Sequence, residues 1–434
     1  HVLQPSGSNH TNDNIAPSSI AADSSTPKRD FHLAVLIIPS IAGAVLIILV
    51  VATAAYWRRW YGSPHADDQI AELSLIPHDV LVPAAMPRYT YTQLSKATQG
   101  FHEKAKVGYG SFSTVYKGKL NMHPCGDGRG GSMMCEVAVK RLNKEGLRKS
   151  GEFFSEIKMI NTLQHPRLVN LRGWCYERGE AMLVYEFMAN GSLADKLFRK
   201  EGGGHAAAGG ALRSEARVEI LKGVAEALSH LHVAGAVHRD VKAANVLLTS
   251  GMEAKLGDFG LLRLLKDERH MTQTMTAAGT PGYAAPELLF TRAPTDKVDV
   301  YSYGVLVLEV ACGRRAIEPR LDEPEERVLV DWVWSRQESG ELLTVLDPRM
   351  WLQAEEGGSG AGGQECMDAE MTWMWKCILH VALHCCHPMP EERPVMQQVL
   401  DSLHHGMLMP LHSSRPCYSG VGVLPQQLLS DESS

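Results

Sequence analysis

VHRDVKAANVLL, Val237 to Leu248, decides how this 434-residue chain is read. Apolar residues hold both ends, while His238, Arg239, Asp240, Lys242 and Asn245 crowd the middle. A packed core has no need of so many polar groups in so few positions, because each must find a partner when buried. The stretch therefore reads as a chemical loop between two short apolar elements. Downstream, LGDFGLL carries Asp258, Phe259 and Gly260, followed by a Thr-rich run and then AAPE, ending at Glu287. Upstream, VAVK (Val137 to Lys140) is a β-branched run ending in one cation, the pattern of a buried strand with a Lys at its tip. Glu156 lies 16 residues further on, in GEFFSEIKMINTL, where Phe153, Ile157 and Ile160 form an apolar stripe at helical spacing. Before these comes VGYGSFSTVYKG, Val107 to Gly118. Its flanks, Val107, Val115 and Tyr116, suit a hairpin whose Gly108 and Gly110 let backbone N–H groups approach phosphates, a weak signal when alone.

The order of Gly-rich loop, VAVK, helical Glu, HRDVKAAN, DFG and APE resembles the signature set of eukaryotic protein kinases. The resemblance covers about 300 residues, Phe101 to roughly His404. Further stretches narrow it: LRGWCYERGEAMLVYEFMANGSLADKLF (171–198), KLGDFGLLRLL (255–265), DVYSYGVLVLEVACGRR (299–315) and LVDWVW (329–334) resemble plant receptor-like kinases. PRYTYTQLSKATQGF (87–101) is similar to the entry of the L-type lectin-domain receptor kinase group, although no stretch of this chain resembles a lectin domain. The resemblance implies an α+β, two-lobe protein kinase fold, with a small β-rich lobe, a larger helical lobe and ATP between them. It implies a serine/threonine-protein kinase that transfers the ATP γ-phosphate to Ser or Thr hydroxyls of protein substrates.

The same resemblance assigns roles. Lys140 contacts the α- and β-phosphates and Glu156 holds it. Asn245 and Asp258 supply oxygen ligands to Mg²⁺, with Mn²⁺ the alternative ion. Asp240 orients the acceptor hydroxyl, and Lys242 faces the γ-phosphate. The ATP site comprises Val107, Gly108, Tyr109, Gly110, Ser111, Phe112, Ser113, Thr114, Val115, Ala138, Lys140, Glu186, Met188 and Leu247. Tyr185 is the gatekeeper, and Glu287 pairs with Arg393 to brace the lower lobe. Arg239 favours a phosphate on the activation segment. The autophosphorylation candidates are Thr272, Thr274, Thr276 and Thr280; the last also resembles the threonine that contacts the catalytic loop.

Leu33 to Trp57 is an uncharged run of 25 residues. As a helix it reaches about 37 Å, enough for a hydrocarbon core of about 30 Å. It is longer than the apolar core of a signal peptide, and a buried core helix rarely runs so far without a charge. We read a single transmembrane helix over 31–57, after a stalk remnant at 1–30 that carries one glycosylation sequon at Asn9. Lys28 and Arg29 before the run nearly balance Arg58 and Arg59 after it. The nine Cys all follow the run, with no paired spacing, as suits a reducing compartment. The expected topology is a single pass in the plasma membrane, N-terminus extracellular and kinase domain cytoplasmic, with the lipid bilayer as a partner. The other expected boundaries are 58–100 juxtamembrane, 101–404 kinase domain and 405–434 tail. Ser40 and Ala44 form a small-xxx-small pair that hints at a homo-oligomer. The first residue is His, so the chain reads as a processed product or a fragment.

The balance of 43 Lys+Arg against 49 Asp+Glu gives a net charge of −6, too small and mixed for a nucleic-acid partner. Gly-rich breaks at 121–132, 202–210 and 356–364 read as solvated loops. Three positions depart from the usual kinase pattern: Ser113 at the third loop glycine, Leu262 after DFG-Leu, and Pro281 where Met is usual. The alternative function is a pseudokinase scaffold that binds partners without phosphoryl transfer; the presence of Lys140, Asp240 and Asp258 weighs against it. HVALHCCHP (380–388) invites a metal reading, but Cys385 and Cys386 fall on different helix faces, so a packed helix end is expected. Trp332, Trp334, Trp351, Trp373 and Trp375 are expected in the lower core.

Overall fold

The computed structural model describes residues 51–53, 86–110, 113–122, 133–143, 153, 157, 159–198, 212–259, 263–264, 280–289, 295–321, 323, 326–351 and 368–411. The chain divides into two units, His1–Pro77 and His78–Ser434. In the first, only Val51 to Thr53 are described, and they are helical. The expected transmembrane span and Asn9 otherwise lie outside the described residues. Among the described residues, no helix is long and apolar enough to cross a membrane.

The second unit opens with helix α1, Tyr91–Ala97. Thr90 caps it reciprocally with Gln93: the Thr90 hydroxyl accepts the Gln93 N–H at 3.2 Å, and Gln93 Oε1 accepts the Thr90 N–H at 2.8 Å. A sheet of five antiparallel strands follows: β1 Lys106–Tyr109, β2 Ser113–Met122, β3 Met133–Leu142, β4 Leu171–Glu177 and β5 Glu180–Glu186, in spatial order β1-β2-β3-β5-β4. Alternation along β2 and β3 turns Leu120, Val137 and Val139 to one face. There they pack with Cys175, Met182, Val184 and, from α1, Leu94, which has no exposed surface.

Two boundaries differ from expectation. Residues 86–100, placed in the juxtamembrane segment, are part of the upper lobe. The Tyr89 N–H donates to the Trp174 carbonyl at 2.8 Å, and the Trp174 N–H to the Pro87 carbonyl at 3.1 Å. One apolar residue per helical turn is too sparse a pattern to reveal that α1 is a core element. The 121–132 break is also shorter than expected: Asn121 and Met122 continue β2, and Met122 pairs with Met133.

Gly173 lies under the approach segment. A Cβ there would meet Tyr89 Cε2 at 2.4 Å and the Pro87 carbonyl oxygen at 2.6 Å. Backbone cannot move aside as a flexible side-chain tip can. Gly173→Ala should therefore cost about 1–3 kcal/mol through overpacking, read as a lower urea midpoint in equilibrium unfolding.

The lower lobe comprises α2 Leu193–Phe198, α3 Ser214–Val233, β6 Ala236–Val237, β7 Val246–Leu248, β8 Ala254–Leu256, β9 Arg263–Leu264, α4 Asp296–Cys312, α5 Leu329–Glu338, α6 Ala369–Cys385 and α7 Met396–His405. Helix α4 is buried almost all round from Val298 to Cys312, as its mostly apolar sequence allows, and it ends at Gly313 in the left-handed region. Arg217 on α3 is buried and uses three donors: on the Leu212 carbonyl (2.9 Å), the Val310 carbonyl (2.7 Å) and Asp347 (2.6 Å).

Trp334 and Trp375 are core residues, 2% and 0% exposed. Trp373 is not: it is 49% exposed, with its indole N–H on the Gly406 carbonyl. Trp332 is flanked by the Arg314 and Arg336 guanidinium groups. Cys385 and Cys386 are both buried, and burial pushes the Cys385 thiol up to about 12. The start of the expected tail is anchored, with His380 Nδ1 3.1 Å from the Met409 carbonyl oxygen.

Candidate active site

The loop 238–245, expected to carry the chemistry, joins β6 to β7 and hangs from one carboxylate. Asp299, fully buried on α4, accepts the His238 N–H on Oδ2 and the Arg239 N–H on Oδ1, both at 2.7 Å. His232 at the end of α3 meets the same Oδ2 at 3.0 Å. Arg239 takes a positive φ of 71°, a sparsely populated conformation that persists only where surrounding bonds enforce it. His238 sits 3.1 Å from the Gly257 carbonyl through Nε2, while Nδ1 accepts the Asp240 N–H at 3.3 Å. Together these bonds require the Nε2–H tautomer. Sequence reasoning missed Asp299; its signal was an acid set among the apolar and aromatic residues of DVYSYGVLVLEV.

Asp240 is the centre of a compact cluster. Its Oδ1 accepts the Thr280 hydroxyl at 2.7 Å. Its Oδ2 accepts Asn245 Nδ2 at 2.9 Å and lies 2.8 Å from Lys242 Nζ. Lys242 also donates to Thr280 Oγ1 at 2.9 Å, so the Thr280 hydroxyl accepts one bond and donates the other. Asn245 Nδ2 also reaches the Asp240 carbonyl at 2.8 Å. Lys242, expected to face a γ-phosphate, faces Asp240 and Thr280 here. Thr280, a phosphorylation candidate, has its hydroxyl held between them.

Lys140 and Asp258 are brought together from 118 residues apart, Nζ to Oδ1 at 2.7 Å. The Lys140 ammonium holds the Asp258 carboxyl below the usual carboxylate range. Asp258 also takes a positive φ, 62°. The donor set fits a hard divalent cation: Asn245 spends its nitrogen on Asp240, so its amide oxygen and the Asp258 carboxylate are oxygen donors of the kind such an ion takes.

Strand register builds the cleft roof. Lys140 opposes Val115 on β2, and Ala138 opposes Tyr185 on β5, so all four project to the sheet face opposite Val137 and Val139. The first hairpin closes through the Gly110 N–H on the Ser113 carbonyl at 2.9 Å. Ser113, opening β2, adopts no positive φ, so its side chain brings no backbone strain. Gly108, Thr114 and Val115 lie on the paired strands, and Val107 and Tyr109 are exposed at 54% and 80%. Leu247 on β7 is part-buried, and Met188, two residues past the end of β5, is buried. The Glu186 side chain turns to Asn170 and Lys255. Ser111, Phe112, Glu156, Thr272, Thr274, Thr276 and Leu262 lie outside the described residues.

A tightly closed crevice beside Asp240 is lined by Thr280, Tyr283, Ala284, Leu288 and Val298 among others. Its wall holds a buried pair: the Tyr283 hydroxyl donates to Glu309 Oε2, and Oε1 accepts the Ala316 N–H at 2.8 Å. Burial pushes the Glu309 carboxyl from 4.5 up to about 7, despite those two donors. A carboxyl raised on folding contributes stability that is complete below the unfolded value and is lost as pH rises through the folded one. The window is therefore about pH 4.5 to 7, and the loss is of order 3 kcal/mol. Glu309→Gln, whose amide oxygen accepts the Ala316 N–H while its NH2 donates to a Tyr283 hydroxyl turned to accept, should match the wild type near pH 5 and exceed it at pH 8. Urea unfolding at the two pH values checks this.

A two-lobed body with a Lys–Asp pair joining the roof to the lower lobe and an Asp–Lys–Asn–Thr cluster on the floor defines a protein kinase. The profile of the protein tyrosine and serine/threonine kinase family matches residues 101–331, and the chain belongs to that family. It is 42% identical to the L-type lectin-domain containing receptor kinase V.7 of Arabidopsis thaliana over 345 residues, covering 79% of this chain and 45% of the relative. It is 36% identical to the L-type lectin-domain containing receptor kinase VIII.1 of the same plant over 373 residues, 83% of this chain and 46% of the relative. The chain spans about half the length of the curated relatives it matches. The family implies ATP and a divalent metal ion.

Proposed function

We propose that the chain is a membrane-anchored receptor-like serine/threonine kinase that transfers the ATP γ-phosphate to Ser or Thr hydroxyls and autophosphorylates on its activation segment. The observation that carries this is the Asp240–Lys242–Thr280 triangle. A carboxylate with two cationic or polar donors sits where an acceptor hydroxyl would enter, and a Lys stands two residues after the Asp. Asp240 accepts or orients the hydroxyl proton. Lys242 exchanges its bond to Thr280 for the γ-phosphate. Asn245 and Asp258 hold Mg²⁺, which screens the phosphate charge when bound. Lys140 leaves Asp258 for the α- and β-phosphates, with Glu156 as its partner. Anchoring rests on the apolar run 33–57, with the kinase body cytoplasmic.

The test uses the full chain in lipid nanodiscs with Mg-ATP, beside Asp240→Asn, followed by phosphoamino-acid analysis and mass spectrometry. Phosphothreonine or phosphoserine in the wild type alone, on Thr272, Thr274 or Thr276, is the expected result. Phosphotyrosine alone would overturn the acceptor assignment. ATP binding without transfer would favour the scaffold reading.

A further inference from the structure

We infer that Arg315 selects the protein substrate: its guanidinium binds an acidic side chain close in sequence to the acceptor Ser or Thr, so acidic segments are the preferred substrates. Arg315 is exposed, in the short segment that follows α4. Its guanidinium carbon lies 4.5 Å from the centre of the Phe198 ring, at the end of α2. Stacking of this kind holds the planar group while leaving its N–H donors open. Among the described residues, nothing accepts a hydrogen bond from it and no carboxylate pairs with it. Neighbouring Arg314 is committed, with Nη2 on the Glu326 carbonyl at 2.8 Å and its guanidinium over Trp332.

The position of this cation follows from what holds its neighbours. The Ala316 N–H donates to Glu309 Oε1 at 2.8 Å, and the Ala316 carbonyl accepts the Leu329 N–H at 3.0 Å, so the chain is pinned just after Arg315. Gly282 rests on the same segment: a Cβ there would meet Ile317 Cγ1 at 2.8 Å and Ala316 Cβ at 3.0 Å. The 280–284 turn, whose Thr280 hydroxyl donates to Asp240, therefore backs onto residues 316 and 317. On the other flank, Ser192 bridges to Leu247 and the Leu248 N–H donates to the Gly191 carbonyl at 2.9 Å, which sets α2 beside the strand that follows loop 238–245. Arg315 spans from the turn at the acceptor crevice to that helix. A chain that presents a hydroxyl to Asp240 comes within its reach.

The surrounding charges leave Arg315 to set the sign. Glu309 is buried and engaged by Tyr283 and Ala316; burial raises its carboxyl to about 7, and the nearby Arg315 charge opposes the rise. Asp195 accepts the Ser192 hydroxyl at 2.7 Å and the Ser192 N–H at 3.3 Å. Pro281, Ala284 and Ala244, the exposed residues between these groups, carry no charge. A substrate cation meets no open carboxylate at this rim among the described residues. A substrate carboxylate meets a rigid fork suited to a two-point bond.

This deepens the kinase reading proposed above and rests on it. The test is transfer from Mg-ATP, by the full chain in nanodiscs, to peptides with a central Thr in which Glu, Gln or Lys occupies each flanking position in turn. At one position or more, kcat/KM should be about fivefold higher for Glu than for Gln, the size expected of one exposed ion pair. The preference should shrink as salt is raised. Arg315→Gln should bring that ratio to about one, and Arg315→Glu should favour Lys instead. Each ratio is taken within one preparation, so a reduced active fraction cancels. Phe198→Leu, which removes the ring that holds the guanidinium, should lower the ratio about twofold and serves if neither Arg315 variant folds. Equal rates for Glu and Gln at every position in the wild type would overturn the inference without any variant, as would a preference that survives the substitutions. Autophosphorylation with no transfer to any peptide would overturn it and leave the kinase reading in place. No transfer of any kind would overturn the kinase reading, and the inference with it.

Discussion

Glu287→Ala should lower the stability of the kinase body by about 3–5 kcal/mol, because it strands a buried guanidinium. Arg393 is 2% exposed and uses all five of its N–H donors. Two go to Glu287 (Nη1 to Oε1 and Nη2 to Oε2, both 2.7 Å). The others go to the carbonyls of His387 (2.7 Å), Lys297 (2.8 Å) and Pro388 (3.1 Å). The Tyr301 ring lies 5.0 Å away on another side. Losing the carboxylate leaves the charge buried with carbonyls alone. Arg393→Lys should also destabilise, since one ammonium with three donors cannot fill a five-donor fork. Calorimetry should show the thermal midpoint fall by roughly 10 °C. A shift under 2 °C would mean that water reaches the pair in solution.

Asp240→Asn should reduce phosphoryl transfer by about 10²- to 10⁴-fold while leaving KM for ATP nearly unchanged. The carboxylate now accepts from Thr280, Asn245 and Lys242. An Asn keeps the shape but turns an N–H toward one of those donors, and it cannot take a proton from an acceptor hydroxyl. The loop should keep its conformation, because Asp299 holds its backbone independently of the Asp240 side chain. Single-turnover kinetics separate the two parameters. Full transfer by this variant would remove Asp240 from the chemistry, and a raised KM with unchanged kcat would make it a binding residue only.

The floor of the site was legible because its members are close in sequence. Asp240, Lys242 and Asn245 fall within six positions, so a short polar run between apolar ends was enough to mark them. The Glu287–Arg393 pair followed from the family pattern, and the structure closes it across 106 residues. Thr280 read as both phosphate acceptor and loop contact; the geometry supplies the contact.

Other features depend on packing that no periodicity encodes. Leu94 looks like an ordinary apolar residue in a polar stretch, yet α1 fills the upper core through it. Trp373 and Trp375 are two residues apart on one helix and end up exposed and buried, because helical geometry turns them to different sides and only the neighbouring elements decide which side is inside. Glu186 was expected in the nucleotide site, and only the folded chain brings its carboxylate onto the Asn170 N–H and Lys255.

By itself the sequence determined the kinase fold, the catalytic loop and the apolar run of 33–57, since each is written in contiguous residues whose spacing and polarity constrain local conformation. Only the tertiary structure decided that Lys140 meets Asp258, that Asp299 suspends the catalytic loop, and that Lys255 closes on Glu186. Those pairings join residues 60 to 118 positions apart, and burial, which gives each charge its need for a partner, exists only once the chain has folded.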